Sequence, residues 1–200
     1  MNSTVVESTI ADALGLYLKE QSRAGNFSGS VLVARHGIPI LKFSSGFANK
    51  EKAILNTMET KFNLGSANKM FTGMAVAQLV EAGIVGFHDP IGTYIPDYPN
   101  AMVREHVTIH HLLTHTSGLG SFIDIDRREE YLAARKKLKT IGDIINLFKN
   151  KPLPYPSGEF HYSADGYEVL GAIIEAVSGD NYYDFIREHV YKPATMPNTD

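Results

Sequence analysis

The chain has 200 residues, of which 44% are hydrophobic and 20% are charged, and its formal net charge at pH 7 is -3. A chain of this length and composition can bury a substantial core, so it is predicted to be globular rather than disordered. The slight negative charge gives no reason to expect a nucleic-acid partner. Without cysteine, the sequence excludes disulfides, thiolate nucleophiles and zinc-thiolate sites.

Residues 5–20 predict an amphipathic opening helix. Charged residues lie between apolar ones that recur at helical spacing. The apolar residues in this pattern are Val6, Ile10, Ala13, Leu14 and Tyr17. Such a helix needs an apolar surface to cover.

The first twenty residues lack the pattern of a secretory leader. A leader has a basic region followed by an apolar one, and MNSTVVESTIADALGLYLKE does not. No apolar stretch approaches the roughly 20 residues that a membrane span requires. As written, the sequence predicts a cytoplasmic protein, and the alternative is a periplasmic or secreted protein whose leader has been removed.

Residues 28–47, SGSVLVARHGIPILKFSSGF, predict a β-hairpin. Two runs rich in valine and isoleucine flank the turn residues His36 and Gly37. An isolated hairpin is only marginally stable in water. These strands are therefore expected to belong to a larger sheet.

Beyond residue 60 the pattern is almost wholly helical. Lys69–Glu81 is apolar on most faces and predicts a buried helix closed by Gly83. Residues 86–104, rich in glycine, proline and tyrosine, predict a surface connection, and the basic run at residues 135–139 is expected to face solvent. Four further helices are predicted, at residues 107–115, 140–149, 164–178 and 182–193. Thr108 and Thr140 mark the starts of the first two, and Gly179 marks the end of the third. A proline-rich loop is predicted at residues 151–160.

This inventory predicts an α+β protein whose sheet is unfinished. Two convincing strands stand against five or six helices. The predicted division is an N-terminal helix and hairpin at residues 1–60 and a helical region at residues 61–200.

Ser66 and Lys69 lie where an apolar helix begins, in NLGSANKMFTG. One interpretation makes Ser66 an N-cap, but a capping box would place Glu or Gln where Lys69 stands, and a cation there is unfavourable. In the other interpretation, the Lys69 amine reaches the Ser66 hydroxyl, because residues three apart share a helix face. The positive helix end and burial would both favour the neutral amine that a general base requires. The S-x-x-K spacing alone is a weak signal.

Tyr162 is the candidate third group of this site. It lies in PSGEFHYSADGY, where a loop meets a helix, and from that position alone a packing role is favoured. Near Lys69, however, a phenol could lose its proton unusually readily and exchange a proton with Ser66.

A cluster of histidines suggests a metal site as a rival. His106, His110, His111 and His115 are close in sequence, and His111 and His115 at i, i+4 could share a helix face. No Glu follows the first histidine as in H-E-x-x-H, so metal binding is the weaker interpretation.

Several segments in order resemble the serine β-lactamase-related superfamily. They are FNLGSANKMFTGMAVAQLVEAGIVGFHDPIGTYIP, then VTIHHLLTHTSGL, then YPSGEFHYSADGYEVLGAIIEAVSG. The hairpin resembles the opening strands of that superfamily, and KPATMPNTD resembles a segment that follows its helical region. The superfamily includes class C β-lactamases, D-alanyl-D-alanine carboxypeptidases and transpeptidases, and β-lactamase-like esterases.

The resemblance implies a β-lactamase/transpeptidase-like fold and a serine hydrolase that acts through an acyl-enzyme. Ser66 matches the nucleophile, Lys69 the lysine that helps to deprotonate it, and Tyr162 the tyrosine of the second motif. The Ser66 N–H would form half of the oxyanion hole. The implied substrate is a small ester, β-lactam or D-Ala-D-Ala-type amide, with no cofactor and no metal.

The second motif departs from the family pattern Tyr-x-Asn, because Ala164 stands at the Asn position. In relatives that Asn holds the lysine and hydrogen-bonds an acylamide group of the substrate. Ala164 can do neither, and a site without such a hydrogen bond discriminates weakly. Simple esters are therefore slightly favoured as substrates.

The third motif, Lys-Thr-Gly or His-x-Gly on a later strand, does not occur before Asp200. The strands that would complete the sheet are also missing from this chain. We therefore expect a fragment or half of a split protein, with weak or no activity alone, that pairs with a C-terminal half or with itself through an open sheet edge. The alternative is a non-catalytic binding or regulatory member of the same fold.

Overall fold

The computed structural model describes residues 3–122 and 137–199, with side chains described from residue 9. Within it, the chain divides into two compact units, Met1–Asn63 and Leu64–Asp200. The predicted domain division at residue 60 stays a prediction, because compactness does not test whether either part folds alone. Of the predicted basic run, Arg135 and Lys136 lie outside the described residues.

The first unit contains helix α1 (Ser3–Arg23) and an antiparallel hairpin of β1 (Gly29–Arg35) and β2 (Ile38–Ser45). His36 and Gly37 both have positive φ, 50° and 78°. Two such residues form a turn whose twist matches that of the flanking strands. The predicted hairpin and its turn are therefore confirmed.

Helix α1 is confirmed, but its predicted inward face is wrong. Ile10 and Tyr17 are 45% and 57% exposed, and Val6 lies outside the described side chains. The helix packs on β2 near Gly15, where an added Cβ would lie 3.9 Å from Leu41 Cδ1. Apolar residues lie on more than one face of α1, so their spacing does not predict which face packs on the sheet. The face that packs contains Gly15, a small residue that permits close approach of the strand.

A second, short hairpin in this unit was not predicted. It pairs β3 (Phe47–Asn49) with β4 (Ile54–Leu55). Gly46, with φ of 75°, joins β2 to β3, and a Cβ there would lie 2.3 Å from Ser28 Oγ. Strands of two or three residues are too short to show the alternation that predicts a strand from sequence.

The second unit is helical and is built around one central helix, Asp165–Ser178. A 3-10 turn (Gly65–Asn68) leads into α2, and a π-helical turn (Arg187–Tyr191) follows the last α-helix. The helices are α2 (Lys69–Glu81), α3 (Ala101–His106), α4 (Ile109–Leu113), α5 (Ile141–Ile145), α6 (Asp165–Ser178) and α7 (Tyr182–Ile186). Helix α6 packs against α2, α4, α5 and α7. None of the helices in the described ranges is long and apolar enough to cross a bilayer.

The glycines predicted to end two helices do so. Gly83 follows α2 with φ of 69°, and Gly179 caps α6 with φ of 77°. Both values lie in the left-handed region that a terminal glycine adopts at low cost. The bounds of α2 agree with the prediction.

The predicted surface connection at residues 86–104 is wrong, because part of it enters the core. Ile91, Tyr98 and Val103 are almost completely buried. Asn100 caps α3 by accepting a hydrogen bond from the Val103 N–H at 3.3 Å. Glycine and proline interrupt the spacing of these apolar residues, so no helical or strand period marked them as core.

Two predicted helices begin at their predicted caps but are shorter. Thr108 caps α4, and the His111 ring completes a capping box by accepting the Thr108 N–H at 3.3 Å. Thr140 caps α5 in the same manner with Asp143. The helix predicted over 182–193 is also interrupted, because α7 gives way to the π-helical turn.

The rival metal hypothesis rested on a geometry that the structure contradicts. Helix α4 ends at Leu113, and His115 lies beyond it with φ of 59°. His111 and His115 therefore do not share a helix face. Across residues 3–122 and 137–199, no group of three His, Asp or Glu side chains is arranged to hold a metal ion.

Candidate active site

Ser66 lies in the 3-10 turn and does not cap a helix. The N-cap positions of the turn and of α2 are Leu64 and Asn68, and neither makes a side-chain capping bond. The Ser66 Oγ instead lies 2.5 Å from the Tyr162 Oη and accepts a hydrogen bond from the Lys69 Nζ at 3.4 Å. The N-cap interpretation of Ser66 is thus wrong.

Lys69 is the half-buried first residue of α2, where the helix dipole opposes a cation. Its Nζ lies over two aromatic rings, 5.2 Å from the centroid of Tyr162 and 5.5 Å from that of Tyr167. Aromatic faces attract cations, which offsets the unfavourable dipole. The packing explains how a lysine is tolerated here.

Tyr162 joins this cluster from a loop 96 residues further along the chain than Ser66. Partial burial by itself raises the pKa of Tyr162, but hydrogen bonding to Lys69 and Ser66 and the Lys69 charge together outweigh burial and lower it below 10. A lowered pKa increases the phenolate fraction at neutral pH. Tyr162 can then accept the Ser66 proton across a single short contact.

The backbone next to Tyr162 is held by a buried serine. Ser163 is 1% exposed, and its Oγ donates to the Gly120 carbonyl at 2.7 Å and accepts from the Gly166 N–H at 2.9 Å. Its own N–H donates to the His115 Nδ1 at 3.2 Å. These hydrogen bonds fix the turn from which the Tyr162 ring projects.

His115 and Tyr167 form the aromatic surroundings of Tyr162. The His115 ring centroid lies 4.6 Å from that of Tyr162 and 5.2 Å from that of Tyr167. The Tyr167 Oη donates to the Leu113 carbonyl at 3.0 Å, which anchors this ring on α4. No sequence pattern places either residue in the site, because residues 115, 162 and 167 are brought together only by packing of α4 on α6.

Two carboxyl groups lie in the first turn of α6, the buried Asp165 and the half-buried Glu168. Burial raises the pKa of Glu168 to about 7, with the Lys69 charge opposing the shift and Asp165 reinforcing it. Burial likewise raises the pKa of Asp165 to about 6, although it accepts the Phe122 N–H at 2.6 Å. The positive end of the helix favours carboxylates here, but it does not compensate for their loss of water.

Ala164 lies at the N-cap position of α6, and its backbone N–H donates to the Ser121 Oγ at 3.1 Å. Its methyl group has no donor or acceptor. The structure describes no contact from it to Ser66 or Lys69. Of the predicted site residues, the fold therefore brings together Ser66, Lys69 and Tyr162, while the substrate-binding role of Ala164 and the catalytic roles of the other three stay predictions.

Comparison with known proteins decides the family. The family model for Beta-lactamase matches residues 12–200. The chain belongs to the beta-lactamase family. A penicillin-binding protein of Bacillus subtilis (strain 168) is 35% identical to it over 180 residues, and the match covers 86% of this chain and 38% of that protein.

Solved structures of similar proteins agree with this assignment. A penicillin-binding protein from Bacillus halodurans is 34% identical with a TM-score of 0.76, and the match covers 90% of this chain and 54% of that one. EstCE1, a hydrolase with promiscuous acyltransferase activity, is 27% identical with a TM-score of 0.80 and coverages of 96% and 53%. The predicted β-lactamase/transpeptidase-like α+β fold is confirmed, and this family member spans about half the length of these relatives or less.

Proposed function

We propose that this chain carries the nucleophile and proton-transfer groups of a serine hydrolase that acts through an acyl-enzyme on small esters in preference to acylamino β-lactams. The 2.5 Å contact between the Ser66 Oγ and the Tyr162 Oη supports this proposal most directly. A nucleophile within hydrogen-bond reach of a base, with a third group that tunes the base, is the arrangement that covalent catalysis requires. Lys69 is that third group.

In the proposed acylation, the Ser66 Oγ attacks the substrate carbonyl carbon as its proton passes to the Tyr162 phenolate. The carbonyl oxygen becomes an oxyanion, which the Ser66 N–H would stabilise. Collapse of this intermediate breaks the bond to the leaving group, which takes the proton from Tyr162. Lys69 favours the phenolate throughout by its positive charge.

Deacylation reverses these roles with water as the nucleophile. Tyr162 takes a proton from the water as its oxygen attacks the acyl carbon. The bond to the Ser66 Oγ then breaks, and the same proton returns to Ser66. Tyr162 acts as base and then as acid in each half of the cycle, which suits a group with a lowered pKa.

The reaction is tested by intact-protein mass spectrometry after incubation with a fluorophosphonate and, separately, with a penicillin. We expect wild type to gain the mass of one fluorophosphonate adduct and Ser66→Ala to gain none, because Ser66 is the activated nucleophile. Equal labelling of both proteins, or of neither, would contradict the proposal. Absence of labelling would favour the second candidate, a non-catalytic binding member, which the loss of the Asn at Ala164 supports.

The preference for esters makes a second prediction. We expect Ala164→Asn to increase the rate of penicillin acylation relative to nitrophenyl acetate acylation by about tenfold, because a new hydrogen bond to an acylamide group contributes about 1–3 kcal/mol. The adducts are quantified by mass after timed incubations. Ala164→Leu, which adds similar volume without an amide, is the matched control and should leave the ratio unchanged. An unchanged ratio in Ala164→Asn would contradict the proposed role of residue 164.

We also propose that this chain alone turns over its substrate only weakly. Since its relatives are about twice as long or longer, we propose that groups outside these residues contribute to deacylation. Pairing through the edges of the hairpin is a further proposal, supported by Leu32 and Ile38, which are 56% and 67% exposed.

A further inference from the structure

His115 occupies an unusual backbone position directly after α4. Its φ of 59° lies in the left-handed region, which a non-glycine residue adopts only at a cost. The segment is held there by pairing with the loop that carries Tyr162: the His115 carbonyl accepts the His161 N–H at 2.9 Å, and the Thr116 carbonyl accepts the Gly158 N–H at 2.8 Å. The backbone geometry thus delivers the His115 side chain to the site.

The His115 ring supports Tyr162 in two ways. Its face packs on the Tyr162 ring at 4.6 Å between centroids with an interplanar angle of 36°. Its Nδ1 accepts the N–H of Ser163, the residue next to Tyr162, at 3.2 Å. One contact fixes the ring and the other fixes the backbone from which it projects.

The Nδ1 contact requires a neutral imidazole. A backbone N–H can donate only to a nitrogen with a free lone pair, so the proton of neutral His115 lies on Nε2. In the imidazolium form, the protonated Nδ1 and the Ser163 N–H would both be donors and would repel each other. Burial, and then the Lys69 charge, lower the pKa of His115 below 6.5, which favours the neutral imidazole that this contact requires. The titratable groups facing His115 are Lys69 from α2, Tyr162 from the loop and Tyr167 from α6.

We infer that His115 is a positioning residue that holds Tyr162 against Ser66, by accepting the Ser163 N–H at Nδ1 and by packing beneath the phenol. His115 itself makes no described contact with Ser66, whose Oγ is engaged by Tyr162 and Lys69. Its influence on the reaction therefore passes through Tyr162. This inference rests on the proposed function only where it is tested by the rate at which Ser66 is labelled.

Two variants separate the two contacts. His115→Asn keeps an acceptor near the Nδ1 position, loses the ring, and suits the left-handed backbone, which Asn tolerates well. His115→Phe keeps the ring and removes the acceptor, which leaves the buried Ser163 N–H unpaired. Thermal denaturation of each variant establishes that it is folded.

The decisive readout is the ionisation of Tyr162, which needs no catalysis. It is measured as the phenolate absorbance of each protein during a pH titration, after subtraction of the same protein carrying Tyr162→Phe. We expect the Tyr162 midpoint to rise slightly in His115→Asn, which loses the ring contact, and to rise further toward 10 in His115→Phe, because the unpaired Ser163 N–H lets the phenol move away from Lys69 and Ser66. An unchanged midpoint in a folded His115→Phe protein would overturn the inference.

Fluorophosphonate labelling supplies the kinetic readout. We expect His115→Phe to slow labelling of Ser66 about tenfold and His115→Asn less than about threefold, since an unpaired buried N–H costs more than a replaced acceptor. Equal slowing by both variants with unchanged Tyr162 midpoints would also overturn the inference. If wild type itself is not labelled, the proposed function fails, whereas the titration still decides whether His115 positions Tyr162.

Discussion

Replacing Lys69 by methionine is expected to slow fluorophosphonate labelling of Ser66 by about a hundredfold or more, the range in which acid–base groups contribute to enzymatic rates. Methionine matches the length of the lysine stem but carries no charge. Without that charge, the Tyr162 phenol loses the neighbour that favours its ionised form, and the Ser66 Oγ loses the donor at 3.4 Å. Both losses reduce the activation of the nucleophile.

The same change is expected to have little effect on stability. Removing a cation from the first turn of α2 is favourable by about 0.3–1 kcal/mol, whereas losing its contacts with two aromatic rings is unfavourable by about as much. The free energy of unfolding should therefore change by less than about 1 kcal/mol. A large loss of rate with an unchanged melting temperature is what distinguishes a catalytic lysine from a packing one.

A matched control is Lys139→Met, which removes an exposed lysine from the same unit. It should label like wild type. The prediction fails if Lys69→Met is labelled within about threefold of wild type, a difference of less than 1 kcal/mol. It also fails if Lys139→Met slows labelling as much, because net charge rather than position would then be responsible.

Replacing Glu168 by glutamine is expected to stabilise the protein at pH 8 by about 2–3 kcal/mol and to leave it nearly unchanged at pH 4. Burial raises the pKa of Glu168 from 4.5 to about 7, so between these values the native state binds a proton that the unfolded state has released. Stability therefore falls as pH rises through this window. Since each pKa unit is about 1.4 kcal/mol, the loss of stability is at most about 3.5 kcal/mol.

Glutamine resembles the protonated carboxyl at every pH, so the variant should lack this loss. Urea denaturation of wild type and Glu168→Gln at pH 4 and pH 8 measures it directly. Asp165, whose pKa of about 6 is raised by burial in the same way, gives both proteins a common pH-dependent loss at lower pH. Glu81→Gln, at the exposed end of α2, is the control and should show no pH-dependent gain. A stability difference that is the same at pH 4 and pH 8 would exclude ionisation of the Glu168 carboxyl as its cause.

The sequence alone determined the elements whose signals are local. The turn at His36 and Gly37 was predicted because a glycine-containing pair lies between two runs rich in valine and isoleucine, and Gly179 was predicted to end α6 because glycine adopts positive φ readily. Thr108 and Thr140 were predictable as helix starts because a cap bonds to residues only three positions away. Turn and cap geometry depends on a few consecutive residues, so a pattern in those residues is sufficient.

Tertiary packing decided which surfaces the elements bury. The apolar spacing of α1 fitted more than one face, and the fold used the one that contains Gly15. Ile91 and Tyr98 looked like parts of a surface loop because glycine and proline break their spacing, yet both are buried. Burial depends on neighbours distant in sequence, which periodicity within one segment does not specify.

The same distinction between local and tertiary signals applies to the candidate active site. Ser66 and Lys69, three residues apart, were predicted as neighbours from helix geometry, and the family resemblance nominated Tyr162. Only the packed structure set the 2.5 Å contact of Tyr162 with Ser66 and placed His115 beneath the phenol. The sequence thus identified the candidate groups, while the tertiary structure decided their distances and surroundings. These depend on helices α2, α4 and α6, which bring together residues that are far apart along the chain.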